Sequence, residues 1–323
     1  MNTNVDDDMK IIRGIVSCEH IDFNDLGWIN CNLHNADIDD FENRRDYDKA
    51  IKTNDEFLFI FLIIYNFEKG GFDLKLECKR QCNWYKKDSK NNRVKTHPVS
   101  VLLALNELKE EYSADSIDQL LKIENLADKW FKKAKSIHKS KFKRCFNERG
   151  FNSKYLESLI EFYKSGKIKE LRKFVIKNQF DKAHDLILQN IRGIGPKLAK
   201  FIVRDLAFSL TEWGKSEKLD WSWFKDPEIL RYIVPIDRWV RRISLSIPLI
   251  CSRLKKELKC SDLADNTNRS LDEKLSLTIS KVCYEMKLNP MRFDLGAFLF
   301  GVYEIQKRAH ISEIYEKLKE KFL

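Results

Sequence analysis

The sequence predicts an all-α fold, and three observations carry that reading. Apolar residues recur at helical spacing through most of the chain. Helix breakers are scarce, with 11 Gly and 6 Pro in 323 residues. Hydrophobic residues make up 43% of the total, which suits a packed core rather than a disordered chain. The length allows one large or two ordinary domains.

Residues 1–53 are the least regular part and read as an N-terminal extension or small subdomain. Within them Ile11–Val16 suits a short strand, and Asp37–Asp40 forms an acidic patch. Residues 54–323 read as the main helical domain. Phe57–Phe67 is apolar on every side, as expected of a helix in the middle of a bundle. Its apolar run is too short to span a bilayer, so no membrane association is expected. Cys78–Lys95 reads as an exposed basic loop. Pro98 opens a helix running to about Glu111, and Ser116–Ile123 and Ala127–Ile137 follow as amphipathic helices. Ser153 suits the N-cap of a helix over Lys154–Lys164, and Ile168–Ile176 is a further short helix.

The charge balance points outward. Lys and Arg number 59 against 49 Asp and Glu, a net charge of +10. Such a surplus favours an anionic partner, nucleic acid being the usual one, with a merely basic surface as the alternative. The densest basic stretch is Lys132–Arg144, which fits a solvated helix face and a phosphate contact equally well. Asp6, Asp7 and Asp8 follow Met1 where a secretory leader would carry apolar residues. A cytoplasmic location, or a nuclear one in a eukaryotic cell, is therefore expected, with the eight cysteines reduced. Cys18 with His20, Cys31 with His34, and Cys78 with Cys82 lack the tight paired spacing of a zinc ribbon, and no metal or cofactor is expected.

The most informative stretch is Asn190–Ala199, NIRGIGPKLA, at the centre of a helical hairpin read over residues 180–208. Gly193 and Gly195 can take φ > 0 and let a phosphate approach the backbone around Ile194. Pro196 suits the first helical position, and Leu198, Ala199, Ile202, Val203 and Leu206 form the apolar stripe of the second helix. The N–H groups and dipole at that helix start favour an anion. Lys197 lies off the stripe, on the side of Lys200 and Arg204, and a cation there opposes the dipole. The second informative stretch is Val234–Ile243, VPIDRWVRRI, where Asp237 suits an N-cap.

GIGPKLA followed by VPIDRWVRR resembles the helix-hairpin-helix DNA glycosylases, the superfamily of endonuclease III and 8-oxoguanine glycosylase. Phe151–Lys154, ahead of a helix, is similar to the family's chain before its hairpin. The likeness implies two helical subdomains flanking a DNA-binding cleft. It places Lys197 at the Schiff-base lysine and Asp237 at the invariant aspartate. Gly193, Ile194 and Gly195 fall on the DNA-binding turn, with Lys200 and Arg238 as further backbone contacts. The implied activity is that of a DNA N-glycosylase with AP lyase activity, acting as a monomer on double-stranded DNA that carries a damaged base.

The chain also departs from the family. Lys197 and Asp237 stand 40 residues apart, more than is usual, so residues 212–231 read as an insertion rich in Trp213, Trp221, Trp223 and Phe224. The iron–sulfur loop of the endonuclease III branch is absent, Cys251, Cys260 and Cys283 being too widely spaced. Asp294–Gly301 is similar to the final helix of the archaeal branch that removes 8-oxoguanine, which makes an oxidised purine the expected substrate. Flipped bases stack on aromatic rings, and Trp221, Trp223 and Tyr65 with Asn66 are read as base-pocket residues. Trp213 and Trp239 are further candidates, with Trp239, which lies on the apolar face, fitting a core residue better. Two other readings stay open: a monofunctional glycosylase for alkylated or deaminated bases, and a non-catalytic hairpin module that binds DNA.

Overall fold

The computed structural model describes residues 5–17, 98–142, 153–224, 226–254, 269–305 and 309–323. Several sequence readings lie outside them: the strip Phe57–Phe67 with Tyr65 and Asn66, the loop Cys78–Lys95, the six paired Cys and His residues, and Phe151. The described residues are helical, with no strand and a single isolated bridge between Lys218 and Leu288. None of their helices is long and apolar enough to cross a membrane.

Helix α1 spans Val5–Val16, α2 Pro98–Glu111, α3 Ile117–Leu120 and α4 Leu126–Phe142. Next come α5 (Ser153–Lys164), α6 (Lys167–Ile176), α7 (Phe180–Asn190) and α8 (Pro196–Leu210). After the short α9 (Glu212–Lys215) and two 3-10 helices, Trp221–Trp223 and Pro227–Ile233, the chain forms α10 (Arg238–Ser246) and α11 (Pro248–Arg253). It ends in α12 (Arg269–Glu285), α13 (Pro290–Glu304) and α14 (Ile311–Phe322). Two compact units result: residues 1–24, 175–181 and 207–323, and residues 25–174 with 182–206.

In the first unit, the strand expected at Ile11–Val16 is helix instead. Asp8, Ile11, Ile12, Ile15 and Val16 are buried, a spacing of i, i+3, i+4, i+7 and i+8 that only a helix puts on one face. The β-branched composition suggested a strand, but the stripe that begins at Asp8 outweighs it. The helix sits in a core with Val240, Ile243, Phe293, Ala297, Ile314 and Leu318. Asp8 is buried as well, and its carboxylate accepts from Leu249 N at 2.8 Å and from the Tyr315 hydroxyl at 2.7 Å. Burial and the Asp8 carboxylate push the Tyr315 hydroxyl above its ordinary pKa.

Helix α13 carries the glycines of the Asp294–Gly301 stretch, and both are packing positions. A Cβ on Gly296 would lie 2.0 Å from the Ile15 carbonyl oxygen, and one on Gly301 2.7 Å from the Trp239 ring. Three buried guanidiniums then tie elements together. Arg241 forms a two-pronged bond with Asp272 at 2.7–2.9 Å, Arg242 donates to the Ala309 carbonyl, and Arg292 donates to the Val16 carbonyl at 2.9 Å. Cys251 in α11 is disulfide-bonded, against the expectation of reduced thiols. Pairing needs two Cβ atoms about 4 Å apart, a condition set by the fold and not by spacing along the chain.

The aromatic-rich segment 212–231 packs as a chain of rings in the same unit. Trp213 contacts Phe180 at 5.7 Å and meets Phe224 edge-on at 5.2 Å. Its indole N–H donates to Asn178 at 3.1 Å. Asn289 closes the segment from behind, donating to the carbonyls of Trp213 and Ser216 at 3.1 and 3.0 Å.

The second unit is built from α2 to α5 and most of α6, α7 and α8. Helix α4 packs against both α2 and α5, burying Leu105, Leu108, Trp130, Ala134, Tyr155, Leu156 and Leu159. Lys133 in the basic stretch is paired with Glu111 at 2.9 Å and Glu107 at 3.6 Å, a tie between α4 and α2. The amphipathic helix expected over Ser116–Ile123 is the single turn α3.

The Gly296 contact makes a quantitative prediction. Replacing Gly296 by Ala sets a methyl against a backbone carbonyl that cannot rotate away, and should cost about 3 kcal/mol. A denaturant titration followed by circular dichroism should show the midpoint fall accordingly. A midpoint unchanged within error would mean that α1 does not dock on α13.

Candidate nucleic-acid interface

Helices α7 and α8 are joined by the turn Ile191–Gly195, and its shape follows from its residues. Ile191 and Ile194 are buried and anchor it. Gly193 has φ +81°, a conformation that costs other residues about 1–2 kcal/mol. Gly195 departs from expectation, for it has no positive φ. What its missing side chain leaves is room, since a Cβ there would meet nothing within 4 Å.

The start of α8 is accordingly bare. The Gly195 carbonyl accepts the Ala199 N–H at 3.0 Å, which makes Gly195 the capping position. A glycine has no side chain to accept from the next N–H groups, and Pro196 has none to give. Lys197 follows and is exposed, its Nζ 5.7 Å from the centre of the Phe201 ring. The Arg204 guanidinium lies over the same ring at 4.8 Å.

The rest of the expected basic face is not solvated. Lys200 is 2% exposed and Arg204 3%. Arg204 Nη2 and Nε lie 2.8 and 2.9 Å from the equally buried Asp205 Oδ1. A buried guanidinium requires such a partner, and the carboxylate next in sequence supplies it. Lys200 thus has no open path to a backbone phosphate, unlike Lys197.

Side chains remote in sequence hold the turn from behind. His184 Nε2 donates to the Pro196 carbonyl at 3.2 Å. Arg192 N donates to Ser158 Oγ at 3.1 Å, and the Lys167 ammonium to Asn190 Oδ1 at 2.6 Å. No local motif marks His184, Ser158 or Lys167; the nearest sequence signal is a polar residue, His184, inside an otherwise apolar helix face.

Asp237, Arg238, Trp221 and Trp223 belong to the first unit, and the turn with Lys197 to the second. Asp237 caps α10 as its position suggested, with Oδ1 accepting from Val240 N at 2.8 Å. The residues before it, Val234 to Ile236, are buried, and the Ser276 hydroxyl donates to the Val234 carbonyl. Arg238 is exposed. Trp221 is half-buried, meeting Tyr284 edge-on at 4.5 Å, while Trp223 is 50% exposed. Trp213, a stacking candidate, is buried among aromatic rings, and Trp239 packs against the core as its apolar-face position suggested.

Comparison with known proteins finds no match: no family model, no curated protein and no solved structure is similar to the chain.

The two glycines of the turn should behave oppositely. Gly193→Ser forces a side chain into the left-handed region and should destabilise the protein by about 1–2 kcal/mol. Gly195→Ser meets open space and adds a good cap, so it should be neutral or stabilising by about 0.5 kcal/mol. Thermal melts of the two variants beside the parent check this, and equal losses would contradict it.

Proposed function

We propose that the chain is a helix-hairpin-helix DNA glycosylase with AP lyase activity. The observation that carries the reading is the bare first turn of α8, which offers backbone N–H groups beside the exposed Lys197. A DNA phosphate is the anion such a turn suits. The cation next to it lies one residue into the helix, close to the sugar that the phosphate carries.

The chemistry follows from an amine beside a deoxyribose. The damaged base must leave the stack for its C1′ to be reached. Deprotonated Lys197 attacks C1′, and the glycosidic bond breaks with its electron pair going to the base, which takes up a proton. The sugar ring opens to an iminium between Lys197 and C1′. Loss of a C2′ proton then expels the 3′ phosphate and cuts the strand. On the resemblance, Asp237 stands for the family's invariant aspartate, whose carboxylate balances positive charge that develops on the sugar. An oxidised purine such as 8-oxoguanine is the proposed base, on the resemblance of Asp294–Gly301. The protein works as a monomer on double-stranded DNA.

Borohydride trapping on duplexes carrying 8-oxoguanine, alkylated bases, uracil or an abasic site tests the proposal. A covalent adduct should form on the preferred lesion and vanish in Lys197→Ala. Excision without an adduct would make the enzyme monofunctional, with Lys197 confined to phosphate contact. No excision and no adduct on any lesion would leave a non-catalytic DNA-binding hairpin.

Asp237→Asn separates the cap from the chemistry. Asparagine caps about as well as aspartate, so the melting temperature should hold. Base release should slow by about 10²–10⁴-fold. A variant with parental single-turnover rates would remove Asp237 from the mechanism.

A further inference from the structure

The second unit contains a cavity away from the turn. Helix α5 ends at Lys164, and the chain turns through Gly166, at φ +75°, before α6 begins at Lys167. This elbow and the α3 region border an open depression of about 510 Å³. Lys122, Lys164 and Lys169 line it, together with Tyr163 and one acid, Asp118. Three lysines and one acid are among its lining residues, so basic side chains predominate at a single concavity. Like charges gathered on a recessed surface repel one another, and the recess focuses their field on whatever enters. The volume falls in the range of ligand sites and exceeds what one small ion needs. A Cβ at Gly166 would meet nothing within 4 Å, so the elbow's backbone is open to approach.

The elbow is also fastened to the α7–α8 turn. Lys167, between the lining residues Gly166 and Lys169, holds Asn190 at the end of α7. Ser158 on α5 holds Arg192 inside the turn. Along α5, Ser158 lies about 9 Å from Lys164 at 1.5 Å per residue.

We infer that the elbow of Lys122, Lys164 and Lys169 is a second phosphate site, which takes a backbone phosphate of the strand held at the Gly193–Gly195 turn. Only the source of the phosphate rests on the nucleic-acid reading; the site itself rests on the cavity and its charge. A free phosphorylated ligand would use the same chemistry, and the experiment separates the two sources.

The first arm measures duplex affinity between 50 and 200 mM salt for the parent, for Lys122→Gln/Lys164→Gln/Lys169→Gln, and for the matching triple arginine variant. Each lost phosphate contact lowers the slope of log affinity against log salt by about 0.9. The glutamine variant should lose about 1–2 in slope, and the arginine variant should regain it. An unchanged slope in a glutamine variant with a parental circular dichroism spectrum overturns the inference and leaves the turn's role intact. A parent that binds no duplex removes the strand as the source and transfers the decision to the second arm. There inorganic phosphate is titrated while the Gly166 amide is followed by NMR. A saturable shift that is lost in the glutamine variant keeps the phosphate site, and the absence of any shift in the parent overturns it.

Discussion

A guanidinium taken out of water must be met by oxygen, and the first unit is organised around that requirement. Arg241, Arg242 and Arg292 are all buried. Each reaches an acceptor on a different element: Asp272 on α12, the Ala309 carbonyl ahead of α14, and the Val16 carbonyl at the end of α1. The desolvation cost of three such cations is several kcal/mol apiece, offset at Arg241 by a two-pronged bond to a carboxylate and at Arg242 and Arg292 by donation to backbone carbonyls. A displaced acceptor would leave an uncompensated charge in the core, so these contacts fix the packing of α10 and α13 more tightly than apolar contact alone. Asp237 inherits that rigidity, because it caps the helix on which two of the three arginines sit.

The α7–α8 turn follows a different logic. A glycine cap followed by proline and lysine is an unfavourable start for a helix: no side chain covers the first N–H groups, and the cation opposes the dipole by roughly 0.3–1 kcal/mol. The compensation comes from behind, through buried Ile194, the His184 bond to Pro196 and the Ser158 bond to Arg192. At the front of the turn neither Gly195 nor Pro196 has a side chain to cap the first N–H groups of α8, while the turn's position stays set. In the proposed function that unfilled valence is met by the DNA strand.

Much of this was legible in the sequence, and the failures have physical causes. Pro196 at a helix start and Asp237 as a cap are local signals, encoded within three or four residues, and both hold. The stripe of α1 was legible too, but β-branched composition drew attention from the period of 3.6 that starts at Asp8. Lys200 reads as a surface cation because sequence displays charge and conceals depth, and nothing local in the sequence marks Arg241 and Arg242 as buried. What buries Arg241 is Asp272, 31 residues away, which no window along the helix includes. The elbow at Gly166 is hidden in the sequence for the same reason: Lys122, Lys164 and Lys169 come together only once α3, α5 and α6 are in place.

The burial of α1 bears on how the chain comes to be folded at all. Its partners stand far along the sequence: Arg292 is 276 residues beyond Val16, and Tyr315 is 307 beyond Asp8. During synthesis this apolar helix therefore leaves the ribosome long before α13 and α14 exist, and must wait with its isoleucines uncovered. Closing the first unit is then a long-range event, slow in the way that contacts of large sequence separation are slow. A chaperone that shelters the amino-terminal helix would have its longest task here.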